Sequence, residues 1–97
     1  MNLSERMAED RRGVILHLLL SDDGMRLGDE TIRVALHHLG RGSHRVSVIQ
    51  ADLAWLEEHR LVRLERDGEA WTATLTRDGR RVAEGARHPG VTRPDPA

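Results

Sequence analysis

Between Ser47 and Leu75 the chain reads SVIQADLAWLEEHRLVRLERDGEAWTATL, and the period of its apolar positions changes partway along. Ile49, Leu53 and Leu56 recur at helical spacing. Val62, Leu64, Trp71, Ala73 and Leu75 instead alternate with polar residues on either side of Asp67-Gly68. The first part predicts a helix from about residue 48 to 59, opened by Ser47 and Gln50 in the S-x-x-Q pattern of a capping box. The second predicts a hairpin, because Asp-Gly between strand-like runs is a strong turn signal. A two-residue Asp67-Gly68 loop sets Arg66 opposite Glu69, Leu64 opposite Trp71 and Val62 opposite Ala73. That register puts all five apolar residues on one face, with Arg63, Glu65, Thr72 and Thr74 on the other. It also pairs Arg66 with Glu69 across the turn, for less than about 1 kcal/mol when exposed.

The same periodicities organise the remainder. A first helix is expected from about Ser4 to Leu20, with Ser4 as cap, Leu3 as hydrophobic staple and Met7, Arg11, Val14, Ile15, Leu18 and Leu19 facing inward. Met25-Arg26-Leu27 reads as a short strand. A second helix starts at Gly28 or Asp29, presents Ile32, Ala35, Leu36 and Leu39 on one face, and stops at Gly40. Residues 41–46 form a turn. Thr76 caps a short fourth helix through about Glu84, with Val82 and Ala83 as its apolar residues. From Gly85 onward Pro89, Gly90, Pro94 and Pro96 exclude regular structure. These elements give an α+β, mainly helical chain, with one domain over residues 1–85 and an extended or disordered tail over 86–97.

Composition narrows the picture. Trp55 and Trp71 are the only aromatic residues, so aliphatic side chains must fill the core. A core of that size is marginal, and dimerisation is a common remedy. With no cysteine, disulfides, thiol catalysis and thiolate metal sites are excluded together. The acidic start of the chain and the lack of a membrane-length apolar run lead to the expectation of a soluble cytoplasmic protein without membrane contact. All fifteen basic residues are arginine, and sixteen acids leave a net charge of −1. Any nucleic-acid binding must therefore rest on local arginine placement rather than on a global field.

The order helix, strand, helix, turn, helix, hairpin, helix resembles the winged-helix regulators of the ArsR and MarR kind. The segment Val46-Ser47-Val48-Ile49-Gln50-Ala51-Asp52-Leu53-Ala54-Trp55-Leu56-Glu57-Glu58-His59-Arg60-Leu61-Val62 is similar to their recognition-helix signature. The whole chain resembles small winged-helix proteins of Mu-like prophages. That likeness is carried by Ala8-Glu9-Asp10-Arg11-Arg12, Ala51-Asp52-Leu53-Ala54-Trp55-Leu56, Leu75-Thr76, and Val82-Ala83-Glu84-Gly85 before a Pro-Gly-Val tail. The resemblance implies a winged helix-turn-helix: a three-helix core, a two-stranded wing with a short third strand, and a C-terminal helix. Two positions depart from it. Arg60 stands where the signature has glycine, at a cost of about 1–2 kcal/mol if the site requires positive φ. The cysteines of the metal-sensing members are missing, so that role does not carry over.

In such a fold the third helix reads double-stranded DNA through its outward N-terminal residues, here Arg45, Ser47, Val48, Gln50 and Ala51, while the wing offers Arg63 and Arg66. Gln50 suits adenine, Arg45 suits guanine or phosphate, and Val48 suits a thymine methyl. Against base reading, Ser47 and Gln50 are also needed as caps of their own helix. Asp52 would repel phosphate unless an arginine such as Arg11, Arg12 or Arg45 neutralises it. Trp55 lies off the apolar stripe, either as an interface anchor or as the edge of the core against the first helix. The six histidines have no metal-ligand spacing, and no catalytic motif is present, so neither an enzyme nor a cofactor or metal site is expected. The leading expectation is a homodimeric DNA-binding regulator, with the first and fourth helices forming the dimer. The rival is a winged-helix module that contacts a phage or host protein.

Overall fold

The computed structural model describes residues 2–93. It contains α1 (Leu3–Ser21), β1 (Arg26–Gly28), α2 (Asp29–His38), α3 (Val46–Glu58), β2 (Val62–Asp67), β3 (Ala70–Leu75) and α4 (Arg77–Ala83). The three strands form an antiparallel sheet in the order β1-β3-β2. This is an α+β winged-helix arrangement: α1, α2 and α3 enclose an aliphatic core, and the β2–β3 hairpin forms the wing. The short strand expected at Met25-Arg26-Leu27 falls at Arg26–Gly28 and completes the sheet.

The core is built from Ile15, Leu16 and Leu19 of α1, Ile32 and Leu36 of α2, and Ile49, Leu53 and Leu56 of α3, all fully buried. Val62, Ala73 and Leu75 close it from the sheet. The inward stripe of α1 is rotated from expectation. Leu16 is buried, whereas Met7 is 52% exposed. The helix also begins earlier, because Asn2 is its cap and accepts the Glu5 amide (2.8 Å). Ser4 therefore lies inside the helix, and Leu3, 73% exposed, is no staple.

Two further corrections concern α3 and the wing. The helix starts at Val46 with Arg45 at the cap position and no side-chain capping bond, so the Ser47–Gln50 capping box does not form. Gln50 is drawn elsewhere: its Nε2 donates to Asp29 Oδ2 and to the Glu69 carbonyl, each at 2.8 Å. In the hairpin, Asp67 pairs with Ala70, Arg66 with Trp71, Leu64 with Ala73 and Val62 with Leu75. The loop is thus Gly68-Glu69, with positive φ at Gly68 alone, as a type II′ turn requires. Each partner moves by two residues from the expected register. A slip of two preserves side-chain parity, so the expected apolar face survives intact. The Arg66–Glu69 pair does not form; Arg66 reaches Glu57 instead (3.0 Å) and lies over the Trp71 ring, 4.5 Å from its centroid.

The end of α3 follows the same hydrogen-bonding scheme as the ends of α2 and α4. Leu61 N donates to Leu56 O and Arg60 N to Glu57 O, both at 2.9 Å. Gly40 and Gly85 hold the left-handed position at the other two helices, but here Arg60 holds it, with φ 62°. Thr76 caps α4 through its hydroxyl, which accepts the Gly79 amide (3.0 Å).

Beyond α4, residues 86–93 run without helix back along α1. The Thr92 amide donates to the Glu9 carbonyl (3.2 Å), its hydroxyl donates to Asp10 (2.6 Å), and Val91 is buried. Pro94 and Pro96 lie outside the described residues. The same segment covers Trp55. The Arg12 guanidinium sits over that indole at 4.1 Å and donates to the Gly90 carbonyl (3.0 Å), and His59 stacks on it at 3.8 Å. Trp55 closes the edge of the core against α1.

Candidate nucleic-acid interface

The helix-turn-helix unit is α2, the turn at residues 39–45, and α3. Its acids stand only at the start of α2 and from Asp52 onward: from residue 31 to residue 51 there is no Asp or Glu, while Arg33, Arg41, Arg45, His37, His38 and His44 are present. Arg33 bonds back to Glu30. That hydrogen bond, with the guanidinium's charge, holds the Glu30 carboxyl below its ordinary range and raises Arg33. Arg41 and Arg45 are exposed, and neither is ion-paired among the described residues. The turn is held by its own polar groups, with His37 Nδ1 and Ser43 Oγ 2.9 Å apart and His44 Nε2 3.0 Å from the Arg41 carbonyl. Arg41 also donates its amide to the Leu36 carbonyl (2.9 Å), which fixes where the chain leaves α2.

The outward stripe of α3 carries Ser47 and Ala51, both exposed, and the half-buried Val48 and Ala54. Glu58 lies on the same stripe at the far end. With no side-chain cap at its start, α3 presents the positive end of its dipole beside Arg45. Small side chains over the first two turns allow a surface to approach the backbone closely, with Arg45 and Arg41 beside them.

Asp52 does not disturb this face. It is buried and held by Arg11 through two bonds, Nε to Oδ2 at 2.5 Å and Nη2 to Oδ1 at 3.1 Å. Of the three arginines that could have met it, Arg11 does so.

The structure brings Arg45, Ser47, Val48 and Ala51 together along the start of α3. It does not add Gln50, Arg63 and Arg66 to them as one surface. The Gln50 amide group is committed to Asp29 and Glu69. Asp29, itself buried, also accepts the backbone amides of Trp71 (3.0 Å) and Glu30 (2.7 Å), and so ties α2, α3 and β3 together. Arg63 and Arg66 point to opposite faces of β2, as residues three apart in a strand must. Arg63 is exposed on the outer face in register with Thr74, while Arg66 is turned toward α3 and neutralised by Glu57. Glu57 accepts the Leu64 amide as well (3.2 Å), covering part of the open edge of β2.

Sequence reasoning missed Arg41 and the histidines of the turn as part of this surface, and Asp29 as its organiser. For the first group the signal was available as the acid-free run. For Asp29 none was, since all but one of its partners are distant in sequence. Among the described residues no three His, Asp or Glu side chains gather as a metal site would require, and no helix is long and apolar enough to cross a membrane.

Comparison with known proteins adds one relationship. No protein-family model matches the chain, and no solved structure matches it. Over 95 residues the chain is 36% identical to the uncharacterised protein gp26 of Escherichia phage Mu, covering 97% of each sequence. That extent and identity place it, by sequence, in the family of the phage Mu gp26 protein.

Proposed function

We propose that this chain is a DNA-binding winged-helix protein, a phage-related transcriptional regulator that acts as a homodimer. The observation that carries the reading is the acid-free stretch over residues 31–51, whose two unpaired arginines, Arg41 and Arg45, lie before the uncapped start of α3. Arg41 and Arg45 would contact phosphates, and Val48 and Ala51 would meet base edges in the major groove. Arg63 would add a backbone contact from the outer face of the wing. Gln50 and Arg66 act in this reading by fixing the wing against α3, not by reading bases.

Binding to duplex DNA across a salt series tests the proposal. Affinity should fall steeply with salt, and Arg41→Ala and Arg45→Ala should each lower the slope of log K against log salt by about 1. Absence of binding by the wild-type chain at about 50 mM salt would refute it. A second reading, a module for contact with a phage or host protein, is favoured by the wing: Arg66 is neutralised by Glu57, leaving Arg63 as its only unpaired arginine.

A further inference from the structure

The acid-free run over residues 31–51 has a second, shorter counterpart. From Gly85 to Pro94 the chain again holds no Asp or Glu, and it carries Arg87, His88 and Arg93. Its described part is pinned to the helices and does not trail from them. Gly90 lies flat on the Trp55 ring, where a Cβ would overlap the indole. Val91 is buried, and the Thr92 carbonyl oxygen leaves no room for a Cβ at Gly13 of α1. Together with the bonds from Thr92 to Glu9 and Asp10, these contacts fix the course of the backbone up to Thr92. Arg93 follows directly, and its side chain is exposed.

That course delivers Arg93 to the flank of the turn between α2 and α3. An open groove of about 540 Å³ is bordered by Thr92 and Arg93 of the tail and by Leu39 and Arg41 of the turn, with Asp10, Gly13, Val14 and His17 contributed by α1. Its charged lining is two arginines against one acid, with His17 beside them, and that acid, Asp10, accepts the Thr92 hydroxyl. Neither Arg41 nor Arg93 is ion-paired among the described residues. Arginines that border one open groove, with no carboxylate bonded to either, suit successive phosphates of a nucleic-acid strand. Arg41 already belongs to the surface set against phosphate above, so the tail continues that surface and does not open a separate one.

We infer that the C-terminal tail is part of the DNA-contact surface, with Arg93 meeting a phosphate of the duplex across the groove from Arg41. The inference deepens the DNA-binding function proposed above and rests on it. It gives the tail a role in affinity and not in sequence choice, because a phosphate contact carries no base information. It also accounts for the pinning: an arginine on an anchored backbone loses less freedom on binding than one on a loose chain.

Fluorescence anisotropy of a labelled duplex of mixed sequence, titrated with the full chain across a salt series, tests it. The variants are Arg93→Ala, Arg93→Lys, Arg41→Ala as reference and Arg80→Ala as control, since Arg80 lies on α4 and pairs with Glu84 (3.7 Å). Arg93→Ala should lower the slope of log K against log salt by about 1, as Arg41→Ala does. Arg93→Lys should restore the wild-type slope, because a point charge suffices for a phosphate. Arg80→Ala should leave the slope unchanged, and the thermal melt of Arg93→Ala should match the wild type because the side chain is exposed. Wild-type binding that responds to Arg41→Ala but not to Arg93→Ala would overturn the inference and leave the DNA reading standing. Equal losses in Arg93→Ala and Arg80→Ala would overturn it as well, since any surface charge would then serve. A wild type that binds no duplex at about 50 mM salt removes the DNA reading itself, and this inference with it.

Discussion

Replacing Arg60 with glycine is expected to stabilise the fold. Arg60 sits one residue past the cap of α3 at φ 62° and makes no side-chain bond or ion pair among the described residues. Its contribution there is through the backbone, where its carbonyl accepts the Thr76 hydroxyl (2.8 Å) and its amide closes the helix end. An L-residue in this left-handed region costs about 1–2 kcal/mol, and glycine avoids most of that. Glycine returns about 0.5–1 kcal/mol through the extra freedom it gives the unfolded chain. The net gain is about 0.5–1 kcal/mol, or roughly 2–8 °C in Tm for a domain of this size. Urea and thermal melts of Arg60→Gly should show it, provided protein concentration is held fixed. Arg60→Ala keeps the Cβ and hence the strain, and should lie within about 0.5 kcal/mol of wild type. Gly40→Ala supplies the reverse experiment, since that glycine has φ 71° with no atom near where a Cβ would stand; it should lose about 1 kcal/mol by strain alone. If Arg60→Gly is no more stable than Arg60→Ala, the left-handed backbone is not what limits this position.

Three other perturbations follow from contacts already described. Asp52→Ala strands the mostly buried Arg11 guanidinium and should cost about 3–5 kcal/mol, whereas Arg11→Met combined with Asp52→Leu should recover most of that loss; a cost below about 1 kcal/mol in a denaturant titration would mean that water already screens the pair. Gly79→Ala improves helix propensity by about 1 kcal/mol, yet its new Cβ would overlap the Leu61 carbonyl. It should therefore be destabilising by about 1–3 kcal/mol, and a rise in Tm would contradict the close packing of α4 on the strand entry. Asp29→Ala removes the acceptor shared by Gln50 and Trp71 and should cost about 1–3 kcal/mol; hydrogen exchange at the Trp71 amide should speed up well beyond the global change, and an amide that stays protected would show that the wing is held by other means.

Much of this architecture could be read from periodicity, and the misses have definite causes. The faces of the hairpin were legible but its register was not, because an apolar pattern of period two is blind to a slip of two residues. The capping pattern at Ser47 and Gln50 was present in the sequence. It lost to a contact with Asp29, which no local reading of α3 can see. The left-handed site at Arg60 and the Thr76 cap were both visible, since each depends on neighbouring backbone alone. At the candidate interface, Arg45, Ser47, Val48 and Ala51 were found because helical spacing collects them. Arg63 and Arg66 are joined by analogy with a docking wing; strand parity already sets Arg63 on the outer face, and the pairing of Arg66 with Glu57 of α3 is visible only in the fold. Arg11 as the partner of Asp52 was one of three candidates, and only the packing of α1 against α3 decides among them.

The acid-free run also has an effect that the net charge conceals. Residues 31–51 hold three arginines and no acid, while the remaining residues hold twelve arginines and sixteen acids. The chain is therefore nearly neutral as a whole but unevenly charged along its length, with positive charge over residues 31–51, the turn and the start of α3 among them, and an excess of negative charge elsewhere. Such a molecule feels little pull toward a polyanion from a distance. Within about a Debye length, roughly 8–10 Å at ordinary salt, the field instead acts as a torque that turns the positive stretch inward. Encounters would then be sorted by orientation before any contact is made, and the faces carrying the excess acid would resist adhesion.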